Sequence, residues 1–173
     1  MYLRLSFNKL SVLTKTNSSA SPPKLISLWL ASCNLGQFPK FLQGQDGLMY
    51  LDLAFNNIHG QIPQWFWKIG TQTLLYLDLA HNFLTGFDQP PSVLPWSSLL
   101  ALNMSSNRLN GSLPVPPFST LLYTISDNSL SGEIPSLICN LSLLQVSAQA
   151  EKIDRSKGEN KLDTEHMFFL IKI

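Results

Sequence analysis

The chain has 173 residues, a length that fits one domain. Only 13% of its residues are charged, against about a quarter in a typical globular protein, and its net charge is +1. Nucleic-acid binding requires clustered Lys and Arg, which this chain lacks, so we expect no nucleic-acid partner. Repeat residues follow Met1 directly and no apolar run approaches roughly 20 residues. We therefore expect neither a signal peptide nor a transmembrane segment in this chain.

One pattern recurs along the chain. Residues 48–63 read LMYLDLAFNNIHGQIP, and related stretches start at Leu74, Leu99 and Thr120. They share the spacing L-x-x-L-x-L-x-x-N-x-L, which is the leucine-rich repeat. The alternation in Leu51-Asp52-Leu53 predicts a short strand with one buried face. Because each repeat buries its leucines only against its neighbours, we expect a stacked α/β leucine-rich-repeat solenoid. Short parallel strands would form its concave face, and irregular segments or short helices its convex side.

An asparagine marks the point where each repeat turns away from its strand. A buried amide at this position can bond to backbone groups of its own turn and of the neighbouring repeat. The markers are 21 to 26 residues apart, within the range of about 20–29 for this architecture. We call them the ladder; its predicted members are Asn8, Cys33, Asn56, Asn82, Asn107 and Asn128, followed by Gln149 in a seventh repeat.

The two cysteines, Cys33 and Cys139, lie four repeats apart. At a strand spacing of about 4.8 Å, this predicts a separation on the order of 19 Å, whereas a disulfide requires Cα atoms within roughly 7 Å. We therefore expect two free thiols, with Cys33 buried as a small hydrophobic residue. No Cys or His spacing resembles a metal site, so we expect no metal and no other cofactor.

The segments between the strands differ from repeat to repeat. Residues 11–23 are polar and end in two prolines, which predicts a loop. The aromatic residues 65–67 are spaced to pack a short convex helix onto the core. Residues 87–96 predict an irregular segment stiffened by proline, and residues 115–118 a nearly extended connection.

The seventh repeat first matches the leucine-rich-repeat pattern, with Leu141, Leu144 and Val146, and then departs from it. From Ala148 onward no ladder asparagine and no further repeat pattern follow. We therefore expect a solenoid of six to seven repeats over residues 1–147, with its first and last repeats incomplete. Residues 148–173 would form a divergent tail of low order.

Candidate binding residues are those whose side chains point outward from the strands. Aromatic residues gather on the first four strands beside two aspartates, and exposed aromatics flanked by polar groups are typical of protein and peptide interfaces. An alternative is that the aspartates only satisfy neighbouring strand ends. The candidates are Trp29, Tyr50, Asp52, Phe55, Tyr76, Asp78 and His81.

Four N-x-S/T triplets are candidate glycosylation sites, as expected of a secreted ectodomain. At one of them, Asn103, a glycan would cover the concave surface. The four asparagines are Asn17, Asn103, Asn110 and Asn140.

We predict no catalytic residues. His59, His81 and His166 are spread over different parts of the chain, and no Ser or Cys nucleophile has a partner at a recognisable spacing. Asp52 and Asp78 would be neighbours on adjacent strands, but two carboxylates without a cleft or an acid partner do not make a glycosidase.

Two longer sequence features indicate which kind of leucine-rich-repeat protein this chain resembles. The endings at residues 60–63, 111–114 and 132–135 have the form G-x-I/L-P. They resemble the plant-specific subtype of leucine-rich repeat, whose extra residues form a second short strand beside the first. Residues 31–67 and 94–144 resemble the ectodomain of plant receptor-like proteins, the cell-surface group that includes the tomato Cf and Ve types.

This resemblance implies a ligand-recognition ectodomain on the extracellular side of the plasma membrane. It would bind an extracellular peptide or protein and signal in defence through a receptor kinase co-receptor. It also implies a larger parent protein, of which this chain would be an internal fragment. Two alternatives remain open: a secreted leucine-rich-repeat enzyme inhibitor, and a truncated receptor copy without function.

Overall fold

The computed structural model describes residues 1–8, 23–89, 92–139 and 145–147. Within these residues, seven short strands form one parallel sheet and lie across it in chain order. Two 3-10 helices, Lys40–Leu42 and Gln64–Lys68, and the one-turn helix α1 (Ser136–Cys139) lie between strands. In chain order the strands are β1 (Tyr2–Arg4), β2 (Ser27–Trp29), β3 (Tyr50–Asp52), β4 (His59–Ile62), β5 (Tyr76–Asp78), β6 (Phe83–Phe87), β7 (Ala101–Asn103), β8 (Asn110–Gly111), β9 (Leu122–Thr124), β10 (Ser129–Leu130) and β11 (Gln145–Ser147). The seven-stranded sheet has the order β1-β2-β3-β5-β7-β9-β11.

Equivalent leucines of successive repeats are in register. Leu51 pairs with Leu77, and Leu77 with Leu102, in adjacent parallel strands. All three side chains are buried in one continuous core. Burial of each leucine contributes about 1.5–3 kcal/mol, and only neighbouring repeats supply that burial. The register confirms the predicted leucine-rich-repeat solenoid.

A second set of short strands is present, as the plant-specific subtype predicts, but only β4 covers most of a G-x-I/L-P ending. β8 reaches only Gly111, β10 ends at Leu130 before the third ending, and β6 lies in the repeat without this ending. β4 pairs in parallel with β6, and β8 with β10. The glycines of the three endings, Gly60, Gly111 and Gly132, have φ values of 83°, 82° and 90°. This left-handed conformation strains any side chain, which explains why glycine stands at the same point of each ending.

Aromatic side chains pack against the core on the side opposite the seven-stranded sheet. Phe66 and Trp67 of the second 3-10 helix are buried, whereas Trp65 is half-buried. Trp67 contacts Trp96 with ring centroids 5.5 Å apart, and the Trp96 indole donates to the carbonyl of Ile69 at 3.0 Å. The predicted short helix at residues 65–67 is confirmed.

The two segments predicted to lack regular secondary structure, residues 87–96 and 115–118, agree with the structure except at one boundary. β6 extends to Phe87, so the irregular segment begins one residue later than predicted. Its described residues contain no helix or strand, and Leu94 and Trp96 are buried there. Residues 115–118 likewise contain no helix or strand.

The predicted alignment of the seventh repeat with the leucine-rich-repeat pattern was wrong by two residues. Gln145 pairs with Leu122 and Val146 with Tyr123, so Val146, rather than Leu144, is equivalent to Leu51. A shift of two residues keeps the same face of a strand buried, and alternating hydrophobicity therefore cannot detect it. Cys33 is a free, buried thiol, as predicted. The predictions for Gln149, for the tail at 148–173, for most of the loop at 11–23 and for the Cys139 side chain lie outside the described residues.

Candidate ligand-binding face

We call the solvent-facing side of the seven-stranded sheet, together with the turn after each strand, the strand face. It consists of three rows of side chains. The Tyr row is Tyr2, Ser27, Tyr50, Tyr76, Ala101 and Leu122; the Asp row is Arg4, Trp29, Asp52, Asp78, Asn103 and Thr124. The turn row, one residue before each ladder position, is Phe7, Ser32, Phe55, His81, Ser106 and Asp127.

The ladder amides join each repeat to the one before it. Asn56 Nδ2 donates to the carbonyl oxygens of Leu53 and Ala54 in its own turn and of Leu30 in the preceding repeat, at 2.9–3.0 Å. Its Oδ1 accepts from two backbone N–H groups of that repeat, including that of Cys33, at 3.0 Å. At Asn82, Asn107 and Asn128 the amide likewise donates to three carbonyls, but its Oδ1 accepts from only one backbone N–H of the preceding repeat.

Two ladder positions are simpler. The Cys33 thiol donates to the carbonyl of Leu5 at 3.4 Å, so it reaches the preceding repeat as the amides do, but it offers no amide oxygen in return. Asn8 is exposed and donates to the carbonyls of Leu5 and Ser6 in its own turn. The ladder is therefore most completely bonded from Asn56 onward.

The turn row has a shared backbone conformation. Its six residues have φ values between 52° and 58°, although none is glycine. Such left-handed residues are uncommon and require support from their surroundings. Here the ladder side chain holds one or both of the preceding carbonyls, and five of the six turn-row N–H groups donate to the next repeat, as that of Phe55 does to Ala80 at 3.0 Å. The turn-row side chains are consequently presented at a fixed spacing.

Aromatic rings stack along the turn row. Phe55 and His81 lie with ring centroids 4.2 Å apart and planes 13° apart. Phe7 reaches Phe55 at 6.0 Å across the small side chain of Ser32. Phe7 and Phe55 are 71% and 51% exposed, and His81 is also exposed, so this stack forms an apolar surface open to solvent.

A second stack crosses the strands. Trp29 on β2 and Tyr76 on β5 lie with ring centroids 5.5 Å apart, although β3 runs between their strands. The Trp29 indole donates to Ser27 Oγ at 2.6 Å, and the Arg4 guanidinium lies over the Trp29 ring at 5.4 Å. Tyr50 of the intervening strand is half-buried and in register with Tyr76.

The two predicted aspartates lie beside this second stack and cap their own turns. Asp52 Oδ1 accepts the backbone N–H of Ala54 at 3.0 Å, and Asp78 Oδ1 that of Ala80 at 2.9 Å. Asp78 Oδ2 also accepts the Tyr76 hydroxyl at 3.0 Å. Burial raises the pKa of Asp52, although the hydrogen bond from Ala54 opposes this shift. Burial and the charge of Asp78 raise the pKa of Tyr76 far above its usual value, so its hydroxyl stays protonated.

The predicted site residues thus fall into two neighbouring groups, the Phe55–His81 stack and the Trp29–Tyr76 stack with its aspartates. Phe7 and Arg4 complete these groups but were not among the predicted residues. Arg4 lies in β1 and Phe7 in the turn after it, in the same rows as predicted residues of later repeats, so the repeat spacing carried the signal that would have found them.

Comparisons with known proteins agree with this architecture. The family model described as Leucine Rich Repeat matches residues 47–69 and 124–141. Receptor-like protein 47 of Arabidopsis thaliana is 41% identical over 135 residues, which cover 76% of this chain and 17% of the relative. Receptor-like protein 7 of the same plant is 37% identical over 142 residues, 82% of this chain and 14% of the relative.

A solved structure of a leucine-rich-repeat protein also matches this fold. The leucine-rich-repeat ectodomain of the Arabidopsis receptor kinase HAESA, in complex with an N-terminally extended IDA peptide hormone, superposes with a TM-score of 0.67. It is 26% identical, and the match covers 87% of this chain and 25% of that one. Our chain is a leucine-rich-repeat protein related to the receptor-like proteins. It spans less than a fifth of the length of the curated relatives above, so the similarity concerns one part of those proteins.

Two of the four glycosylation triplets of this leucine-rich-repeat protein lie in described residues, and they differ in access. Asn110 on β8 and the serine of its triplet, Ser112, are both exposed. Asn103 is half-buried; its Nδ2 donates to Asp78 Oδ2 at 3.2 Å and its Oδ1 accepts the Ser105 hydroxyl at 2.7 Å. Asn17 and Asn140 lie outside the described residues.

The described ranges contain no group of three or more His, Cys, Asp or Glu side chains that could hold a metal ion. In the same part of this leucine-rich-repeat protein, no helix has both the length and the apolar character needed to cross a membrane.

Proposed function

We propose that the strand face of this leucine-rich-repeat protein binds an extracellular peptide or protein ligand. The observation that carries the proposal is the open Phe7–Phe55–His81 stack beside the Trp29–Tyr76 stack. Contiguous exposed aromatic surface rimmed by polar groups is typical of protein interaction sites.

The geometry favours tight binding because the rings are held before any ligand arrives. Left-handed backbone and the ladder amides fix the turn row, and the Trp29 ring is held by its hydrogen bond to Ser27. A preorganised surface loses less conformational entropy on binding than a flexible one. The aromatic side chains supply contact area, and the neighbouring polar groups supply orientation.

The wider biological part of the proposal rests on the relatives. They are named receptor-like proteins, and the solved neighbour is a receptor kinase ectodomain with a peptide hormone bound. We propose that the chain acts as part of a ligand-recognition ectodomain at the extracellular side of the plasma membrane and serves defence signalling through a partner receptor kinase. Residues 1–147 would form the recognition unit, and Asn110 would be its most accessible glycosylation site.

A peptide-display selection on the full chain tests the proposal. Peptides enriched from a random library on the wild-type chain are then synthesised and titrated against Phe55→Ala and His81→Ala. The matched control is Phe118→Ala, because Phe118 is 68% exposed but lies in the connection between β8 and β9, outside the three rows.

We expect Phe55→Ala to weaken peptide binding about tenfold or more, as loss of a central aromatic contact does, and Phe118→Ala to leave it unchanged. A selection that enriches no peptide, or enriched peptides that bind Phe55→Ala and His81→Ala as well as the wild type, would contradict a ligand-binding role for the strand face.

A further inference from the structure

The strand face carries more negative charge than its hydrogen bonding requires. Its three rows contain three aspartates, Asp52, Asp78 and Asp127, but only one Lys or Arg, which is Arg4. The one ion pair within the described residues joins Lys24 to Asp46, away from these rows. None of the three aspartates is therefore neutralised by a basic residue that the structure describes.

The turn-capping role of the Asp row does not need a charge. On β7 the same row position is held by Asn103, whose Oδ1 accepts the backbone N–H of Ser105 at 3.2 Å. This bond is equivalent to the one from Ala54 to Asp52. A neutral amide can thus cap the turn at this position. Turn capping therefore does not explain why Asp52 and Asp78 carry charged carboxylates.

Asp52 is the less satisfied of the two carboxylates. Asp52 is only 8% exposed, and its Oδ2 accepts no hydrogen bond from any described residue, but solvent still reaches this oxygen. By contrast, Asp78 Oδ2 accepts from both Tyr76 and Asn103. A carboxylate oxygen that is open to solvent and has no donor within the protein can accept a hydrogen bond from a ligand, and a cationic donor forms the strongest such bond.

The aromatic rings beside Asp52 offer a cation a second kind of contact. The Trp29 ring already holds the Arg4 guanidinium at 5.4 Å, which shows that a guanidinium fits on this surface. Cations are attracted to the faces of Trp and Tyr rings, and arginine stacks on them readily. The Asp52 carboxylate and the neighbouring ring faces therefore both favour a cationic group on the ligand.

We infer that the strand face recognises a basic peptide segment, whose Arg or Lys side chain lies against Trp29 and Tyr76 and donates to Asp52. This inference rests on the proposed function and adds the charge of the ligand to it. A peptide without a basic side chain would leave the Asp52 carboxylate uncompensated at the interface.

The test compares acetylated and amidated tetra-arginine with tetra-glutamate, each titrated into the full wild-type chain. Binding is followed by the NMR signal of the Trp29 indole N–H. The primary variant is Asp52→Asn, which keeps an acceptor for the Ala54 N–H and removes the charge. Asp88→Asn is the control, because it removes the same charge from an exposed residue beyond the end of β6.

We expect tetra-arginine to shift the Trp29 signal saturably and tetra-glutamate to leave it unchanged. Asp52→Asn should weaken tetra-arginine binding about tenfold or more, the effect of losing a charge-assisted hydrogen bond, and Asp88→Asn should not weaken it. Equal affinity for wild type and Asp52→Asn, or no shift of the Trp29 signal, would overturn the inference.

The display selection separates this failure from that of the proposed function. Enriched peptides that depend on Phe55 but lack Arg and Lys, and bind Asp52→Asn as well as wild type, would refute the basic ligand and leave ligand binding standing. Enriched peptides that are rich in Arg or Lys and lose affinity with Asp52→Asn would support both.

Discussion

The Phe55 ring and the His81 imidazole stack with centroids 4.2 Å apart although they are 26 positions apart in the chain. The contact exists because both residues precede a ladder asparagine and share a left-handed turn, with φ values of 55° and 52°. The hydrogen-bonded interior of the solenoid therefore determines the spacing of the rings on its surface. This relation between ladder and strand face gives the following predictions.

The first prediction concerns the buried ladder. Asn56→Ala removes an amide that donates to three carbonyls and accepts from two N–H groups, and these groups remain buried. We expect the free energy of unfolding in urea to fall by about 3 kcal/mol or more. Asn8→Ala, at an exposed ladder position, should cost less than about 1 kcal/mol. Equal losses for the two variants would show that the amide ladder does not join the repeats as described.

The second prediction concerns the thiol in the ladder. Burial raises the pKa of Cys33, and the charge of Asp52 raises it further, so the reactive thiolate is scarce at neutral pH. In a Cys139→Ser variant, the native chain should therefore react with a thiol reagent far more slowly than the chain in urea. Native and unfolded chains that react at similar rates would contradict the burial of Cys33.

The third prediction concerns the glycine of the G-x-I/L-P ending. Gly60 has φ of 83° and open space around the position of an added Cβ, so Gly60→Ala introduces backbone strain without a clash. We expect a loss of about 1 kcal/mol in the free energy of unfolding. Gly36→Ala is the matched control, because its Cβ position is equally open and its φ is not in the left-handed region. That variant should be neutral or slightly stabilising; a similar loss at both positions would refute the assigned strain.

The fourth prediction concerns pH. Burial raises the pKa of Asp52 in the folded chain above the value of about 4 expected when unfolded, so the folded chain binds this proton more tightly. The stabilisation that it contributes is complete below the unfolded pKa and is lost as the pH rises through the folded pKa. Asp52→Asn lacks this term, so its stability relative to wild type should increase from about pH 4 to neutral pH. Urea unfolding across this range checks it, and a relative stability that stays constant or falls would contradict it.

Much of the fold followed from the spacing of leucines and asparagines. That spacing predicted that Leu51, Leu77 and Leu102 are equivalent, because only a fixed period places each leucine against its neighbours. The register of β11 did not follow, since both Leu144 and Val146 can bury a side chain on the same face.

The candidate site was less predictable. Row positions placed Trp29 and Tyr76 on the strand face, but the sequence does not show that their rings meet across β3. That contact depends on side-chain rotamers and on the hydrogen bond from Trp29 to Ser27, which a repeat pattern does not encode. The same holds for the burial of Asp52, which the pattern predicts only as an outward-facing residue.

The most direct test of the strand face as a preorganised binding surface is the proton NMR spectrum of the Phe55 and His81 rings in the full chain, without and with an enriched peptide. We predict nuclear Overhauser effects between the two rings in the free chain, and shifts of both ring signals when the peptide binds. Rings without mutual contacts in the free chain, or a bound peptide that leaves both signals unchanged, would contradict the account.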